Sequence, residues 1–178
     1  MKSRIETCIA KIADWMAGNR LKLNPSKTEL IWCGTAHQCK SVDGSDFILD
    51  GISIAPVTTV KLLGVQMDGD LSMSSQVNSL VRSCFYQIRR MRSVRRCLTN
   101  DAAKTIAHSL ILSRLDYCNG LLTGITKRQC DRLQSVLNTA AKVVCGGTRR
   151  DHVTPILRDN LHWLRFRERI TYELCMIV

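Results

Sequence analysis

Asp68-Gly69-Asp70 is the one close pair of carboxylates at the end of a strand-like run. Two carboxylates held together can bind a divalent cation or share a proton between them. Two aspartates around a glycine after a strand are also what a turn ahead of a helix requires, and the turn is the reading adopted. No Asp-Asp dipeptide occurs anywhere in the chain. The four histidines, His37, His108, His152 and His162, fall in different segments, and no G-x-S-x-G turn is present to raise a serine nucleophile. A phosphate loop of the G-x-x-x-x-G-K form is absent too. Cys33, His37 and Cys39 come nearest to a metal-ligand spacing, but no second ligand pair follows them, so no metal site is assigned. As an independent enzyme the chain shows no active site.

The cysteines number nine and none forms a C-x-x-C pair. Arg4, Glu6, Lys11 and Asp14 interrupt the N-terminal apolar positions, which argues against a signal peptide. Without export a disulfide framework is not expected; reduced, mostly buried thiols are. No apolar run reaches the roughly 18 residues of a membrane span, so no membrane partner is expected and a cytoplasmic or nuclear location is. Hydrophobic content of 45% is enough for a core in 178 residues, whereas 5% aromatics is too few for a base-stacking platform.

Charge is the stronger signal. The net +11 is confined to residues 82–150, where fourteen basic residues face three acidic ones. Residues 1–81 and 151–178 are each balanced, eight against eight and four against four. Arg82, Arg89 and Arg96 recur every seven residues, on one helical face. Arg89-Arg90-Met91-Arg92, Arg95, Lys127, Arg128, Arg132, Lys142, Arg149 and Arg150 extend the excess over a second helix and a loop. Solvated helix faces mix their signs; this segment hardly does, and guanidinium forks match phosphate oxygens in geometry as well as charge. RNA, DNA or an RNA–DNA hybrid is the expected partner.

Two kinds of element must position these groups, an α+β arrangement. Ile5, Ile9, Ile12 and Met16 space a helix that Gly18-Asn19 stops. Asn24-Pro25-Ser26 is a turn, Thr28–Cys33 a short strand, and Gly34–Ser45 a polar loop. Phe47–Leu49, Ile52–Ile54 and Val60–Met67 read as strands of a small antiparallel sheet, with Asp50-Gly51 a hairpin turn. From about Ser72 the pattern is helical. Val77, Leu80, Val81, Cys84, Ile88 and Met91 form one apolar face. A second helix starts at Thr99-Asn100-Asp101, a third near Thr126 that stops at Gly146-Gly147, and a last one from about Leu164. The composition shift near residue 72 divides the chain into 1–71 and 72–178.

Four segments carry a resemblance. Trp15–Leu30, with Asn24-Pro25-Ser26-Lys27-Thr28, resembles the palm stretch that follows the catalytic box in LINE-type (non-LTR) retrotransposon reverse transcriptases. Val60-Lys61-Leu62-Leu63-Gly64-Val65-Gln66-Met67-Asp68 resembles the family's primer-grip hairpin. Ser113–Asn119 (SRLDYCN) and Leu161–Ile170 (LHWLRFRERI) resemble its thumb. The match runs nearly end to end in the family's order. It implies a remnant palm layer over 1–71, one helix plus a small sheet, and a helical thumb over 72–178, with template and primer held between them. Lys61, Leu63 and Gly64 would then touch nucleic acid, and Lys27 would take the position of a general acid for the pyrophosphate leaving group. The family's metal-binding carboxylates lie upstream of the first helix, in an earlier strand and a Tyr-x-Asp-Asp box, so the resemblance implies Mg²⁺ for the intact polymerase and none for this chain. The missing palm and fingers become possible partners. A basic helical module with its own nucleic-acid partner, or a protein-interaction remnant, are the rival readings. Purified, the chain should extend no primer on any template with Mg²⁺ or Mn²⁺; extension that copurifies with it would refute the assignment of an inactive fragment.

Overall fold

Alternation of apolar and polar residues never persists beyond a few positions between residues 19 and 73, and the strands there are short. The computed structural model describes residues 2–41, 46–49, 51–148 and 150–177. The chain divides into two compact units, Met1–Leu62 with Asp68–Leu71, and Leu63–Met67 with Ser72–Val178.

In the first unit, α1 (Lys2–Gly18) turns Ile5 and Ile9 onto a small core of Phe47, Leu49 and Ile54. These come from β2 (Phe47–Leu49) and β3 (Ile52–Ile54), an antiparallel hairpin in the register Phe47↔Ile54 and Leu49↔Ile52. Alternation sends Ile48 outward, where it is exposed. Gly51 supplies the positive φ that the turn needs; Asp50 lies outside the described residues. β1 (Leu30–Ile31) pairs with β4 (Pro56–Val57) in parallel, so the strands are not one antiparallel sheet. The polar stretch expected to be a loop contains a helix, α2 (Ala36–Ser41), while residues 42–45 lie outside the described residues. Its start is capped: the Thr35 hydroxyl accepts the Gln38 N–H and the Gln38 side chain accepts the Thr35 N–H, a reciprocal pair that glutamine supplies as well as glutamate.

Asp68-Gly69-Asp70 is a turn. The Leu71 N–H donates to the Asp68 carbonyl at 2.9 Å, and a Cβ on Gly69 would sit 2.7 Å from the Trp32 carbonyl oxygen. Only glycine allows that approach.

In the second unit α3 (Ser74–Val94) buries Val77, Cys84, Ile88 and Met91. α4 (Asn100–Ala107), a π turn over His108–Leu112 and α5 (Ser113–Asp116) make one continuous rod. Thr99 caps it by accepting the Ala102 N–H. Hydroxyls of Thr105, Ser109 and Ser113 each donate to the carbonyl four residues back, competing with the ladder N–H groups where the rod widens. α6 (Lys127–Val144) opens with a complete capping box, Thr126 with Gln129. α7 (Val153–Pro155) leads through a second π turn to α8 (Phe166–Ile177). One core joins these helices through Leu115, Leu133, Val136, Leu137, Ala140 and Phe166. Val65 enters the same core and the Gln66 N–H donates to Gln76. Leu63–Met67 therefore groups with the helices rather than with residues 1–62.

Among the described residues no helix is long and apolar enough to cross a membrane. The nine cysteines are all unpaired, but they are not mostly buried as expected. Only Cys84 is buried, and Cys8, Cys33, Cys97, Cys118 and Cys175 are exposed because they fall on solvent faces or at element ends.

The two units rest on very different cores. Two-residue and three-residue strand pairs are marginal alone, whereas six helices' worth of apolar faces meet in the other unit. Amides of β2 and β3 should exchange on the order of a hundredfold faster than those of Val136–Val144. Equal protection in hydrogen-exchange mass spectrometry would show the first unit to be as well supported as the second.

Candidate nucleic-acid interface

α3 and α6 run side by side in the same direction. At their starts the Gln129 side-chain amide donates to the Ser72 carbonyl and the Ser74 hydroxyl. One turn on, Arg132 donates to the Asn78 side chain at 2.7 Å. At their ends Arg95 donates to the carbonyls of Val143 and Val144 at 2.9 and 2.7 Å, and to the Leu98 carbonyl. Arg95 is thus a cap on the exposed end of α6, consumed by structure.

At 100° per residue, Asn78, Arg82, Arg89 and Arg92 fall within about 40° of one line on α3, and Arg96 follows in the 3₁₀ turn Arg95–Cys97 just past its end. On α6, Arg128, Arg132, Ser135, Thr139 and Lys142 form a matching stripe. Asn78 with Arg132 places the two stripes together at one end. A cleft of about 670 Å³ places them together at the other, lined by Arg92, Arg96, Asn138, Thr139, Lys142 and Thr148 among others. Asn78 and Arg96 are 18 residues apart, about 27 Å at 1.5 Å per residue. That is roughly eight base pairs of duplex at 3.4 Å each. Arg92, Arg95, Arg96 and Lys142 line the cleft, Arg132 meets Asn78, and Arg82, Arg89 and Arg128 lie on the helical stripes between these points. No acidic residue lies on either stripe. The nearest carboxylate, Asp151, is turned into its own bend, where the Thr148 N–H and hydroxyl donate to it; the Thr148 N–H first of all holds it below the usual carboxylate range.

Other basic residues expected at the interface stand elsewhere. Lys127 projects to a second cleft of about 840 Å³ with Asp131, Arg165, Arg167 and Glu168, where the signs are mixed. Arg150 is exposed beyond the end of α6, and Arg149 lies outside the described residues. Arg90 sits over the Tyr86 ring, 5.7 Å from its centre, on another face of α3. Asn78, Ser135, Asn138 and Thr139 stand at the stripes or the cleft without having been singled out by sequence; for Asn78, Ser135 and Thr139 the helical register with Arg82 and Arg132 was the available signal.

Leu63 and Gly64 make the turn between β5 (Thr59–Leu62) and β6 (Val65–Asp68), both with positive φ, 47° and 89°. Leucine in that conformation costs about 1 kcal/mol, yet Leu63 is 83% exposed and gains no burial in return. The Tyr117 hydroxyl donates to its carbonyl at 2.7 Å and holds the turn. Lys61 is exposed on β5 in the first unit. Lys27 is also in that unit, exposed on a 3₁₀ turn, Pro25–Lys27, that Asn24 caps by accepting the Ser26 N–H and hydroxyl.

The carboxylates among the described residues do not gather as a pair of magnesium ions requires. Asp68 and Asp70 belong to a turn, and among the described residues no three His, Cys, Asp or Glu side chains gather closely enough to share a metal. Cys39 instead donates its thiol to the Trp32 carbonyl. No step is derived through a metal.

Arg95 and Arg96 are neighbours with opposite roles, which a pair of neutral replacements separates. Arg95→Met leaves the α6 carbonyls without their donor and should lower stability by roughly 1–3 kcal/mol. Arg96→Met should change stability by no more than about 0.5 kcal/mol in urea unfolding. Equal losses would remove the distinction between a capping arginine and a groove arginine.

Neither family models, nor curated proteins, nor solved structures give a match to this chain.

Proposed function

We propose that the chain binds the phosphate backbone of duplex or hybrid nucleic acid along the α3–α6 groove, as the thumb and end of palm of a LINE-type reverse transcriptase. The single observation that carries the binding is the pair of basic stripes on two parallel helices: seven cations along about 27 Å, joined by the Arg132–Asn78 bond at one end and a cation-lined cleft at the other. Beyond the cations the lining includes Ser135, Asn138, Thr139 and Thr148, which can donate to phosphate and sugar oxygens, together with Val143 and two glycines; no aromatic ring lines the cleft to stack a base. Binding is therefore sequence-independent and electrostatic. The four motif segments and their order support the family reading, with Leu63-Gly64 as the primer-grip turn and Lys27 in the general-acid position.

A self-contained basic module is the second reading, favoured by one fact: every groove cation belongs to the helical unit alone. An in-frame Tyr-x-Asp-Asp in the coding sequence just upstream separates the two, since only the polymerase reading needs it.

Neutralising about six phosphates gives a log–log dependence of affinity on salt with a slope of roughly −5. Arg82→Glu, Arg89→Glu and Arg96→Glu together should weaken duplex binding at least tenfold and flatten that slope by about 3. Arg165→Glu with Arg167→Glu, in the mixed-charge cleft, should do much less. Arg169 is excluded from the control because it holds Asp116 through two bonds of 2.7 and 2.6 Å. A flat salt response in filter binding sinks the proposal.

A further inference from the structure

Arg114, the basic residue of α5, stands apart from the groove. Its guanidinium donates to the Ser83 hydroxyl on α3. Among the described residues no carboxylate lies within ion-pairing distance of it. A pocket of about 370 Å³ opens beside it, lined by Gln76, Ser79, Leu80, Ser83, Tyr117 and Gly64, with Ser113 at its edge. No acidic side chain lines the pocket. Its α3 residues lie about 140° around the helix from the groove stripe, with the exposed Tyr86 and Arg90 on the arc between them.

The pocket is held by features that a solvated surface would not need. The π turn over His108–Leu112 shifts the residues after it around the rod, so Arg114 and Tyr117 face α3 while Leu115 enters the core. Tyr117 fixes the strained Leu63-Gly64 turn as one wall; a Cβ on Gly64 would meet the tyrosine ring at 3.8 Å. Asp116, next to Arg114, is fully engaged by Arg169 of α8 and turned from the pocket. Cys84, adjacent to Ser83, is no anion either: burial pushes its thiol up to about 11, although Arg114 pulls the other way.

The donors that remain have a definite chemistry. Arg114 supplies a planar fork, Ser83 accepts from it and keeps its own proton, and the Ser79 hydroxyl is exposed at the rim. The Gln76 Oε1 accepts from Gln66, which turns the amide nitrogen to the other side. Ser113 and Tyr117 have already given their protons to the carbonyls of Ser109 and Leu63. One positive charge with several neutral donors and no acceptor carboxylate suits a tetrahedral oxyanion, whose oxygens take more donors than a carboxylate's two. The volume admits a nucleotide-sized body behind that group, against the Leu80 side chain.

We propose that this pocket is a second, groove-independent site for a phosphoryl group, with Arg114 as its charged anchor and Ser79 and Ser83 as neutral donors. The phosphoryl group belongs either to a free mononucleotide or to a nucleic-acid strand, and one set of measurements separates these. Adenosine monophosphate is titrated into the full chain by equilibrium dialysis, and a 12-base-pair duplex by filter binding at low salt. Both are repeated with Arg114→Gln, with Ser79→Glu, and with the triple groove variant. Ser79→Glu puts a carboxylate into the pocket at an exposed position, so a folding defect in Arg114→Gln does not hide the result. Adenosine monophosphate binding that falls at least tenfold in both pocket variants and is unchanged in the groove variant supports the site with a free nucleotide. No such binding, but duplex affinity that falls at least fivefold in both pocket variants, supports it with a strand phosphate. Affinity for both probes within twofold of the parent in both pocket variants overturns the proposal, whatever the groove variant does.

Discussion

The seam between α3 and α6 governs the helical unit, because it is pinned at both ends by side chains rather than left to apolar contact alone. Gln129 serves two purposes at once: its oxygen closes the capping box of α6, and its nitrogen reaches the start of α3. The start of α3 needs that help, since Met73 precedes it in a left-handed conformation and offers no side-chain cap. At the far end Arg95 collects the carbonyls of α6. Small residues, Ala140 and Ala141, are buried along α6 and let the helices approach closely. With both ends pinned, the register of one basic stripe against the other is set.

The rod of α4 and α5 is tied down in a similar way, and these ties join the segments whose sequences were most recognisable. Asp116 meets Arg169 of α8 in a bidentate pair, Tyr117 holds the Leu63 carbonyl, and the Trp163 indole donates to His108 at 3.1 Å with the rings edge to face. Burial first, then Arg169 and Lys104, lowers the His108 pKa, which keeps the imidazole neutral and able to accept that bond. Motif residues Leu161, Trp163, Phe166 and Ile170 are core. Recognisable segments here are therefore partly a packing signature.

Much of this was legible in the sequence. The apolar spacing of α3, the Thr99 and Thr126 caps and the Gly146 stop each follow from a local rule, and each element begins or ends there. α2 was missed because its capping pair, Thr35 and Gln38, sits in a stretch without an apolar face. The π turns were not legible, since widening a helix by one residue depends on what packs against it. Charge density singled out α3 and α6 but could not sort their arginines. Arg95, Arg96 and Arg90 look alike in sequence; only the carbonyls of α6 and the ring of Tyr86 assign two of them elsewhere. Lys127 and Arg128 are adjacent, yet 100° of helix turns Lys127 to the mixed-charge cleft and leaves Arg128 on the basic stripe.

The groove cations also have to be weighed against a purely structural cause. Arg92, Arg96 and Lys142 lie in the last turns of α3 and α6 or just beyond them, where the negative ends of two helix dipoles favour positive charge. Those three would be expected on a helix pair with no ligand at all. Arg128 is different. It sits in the first turn of α6, at the positive end, where a cation costs about 0.3–1 kcal/mol. Arg82, Arg89 and Arg132 are mid-helix and draw nothing from either dipole. Arg132 does bond Asn78, but a neutral side chain would serve that contact without the repulsion of its neighbours. Four arginines thus carry a charge that the fold does not require, along a line that begins where the two stripes are joined. Repulsion among them is relieved only by counterions or by a polyanion laid along the groove, and releasing those counterions to solvent is what drives such a polyanion to bind.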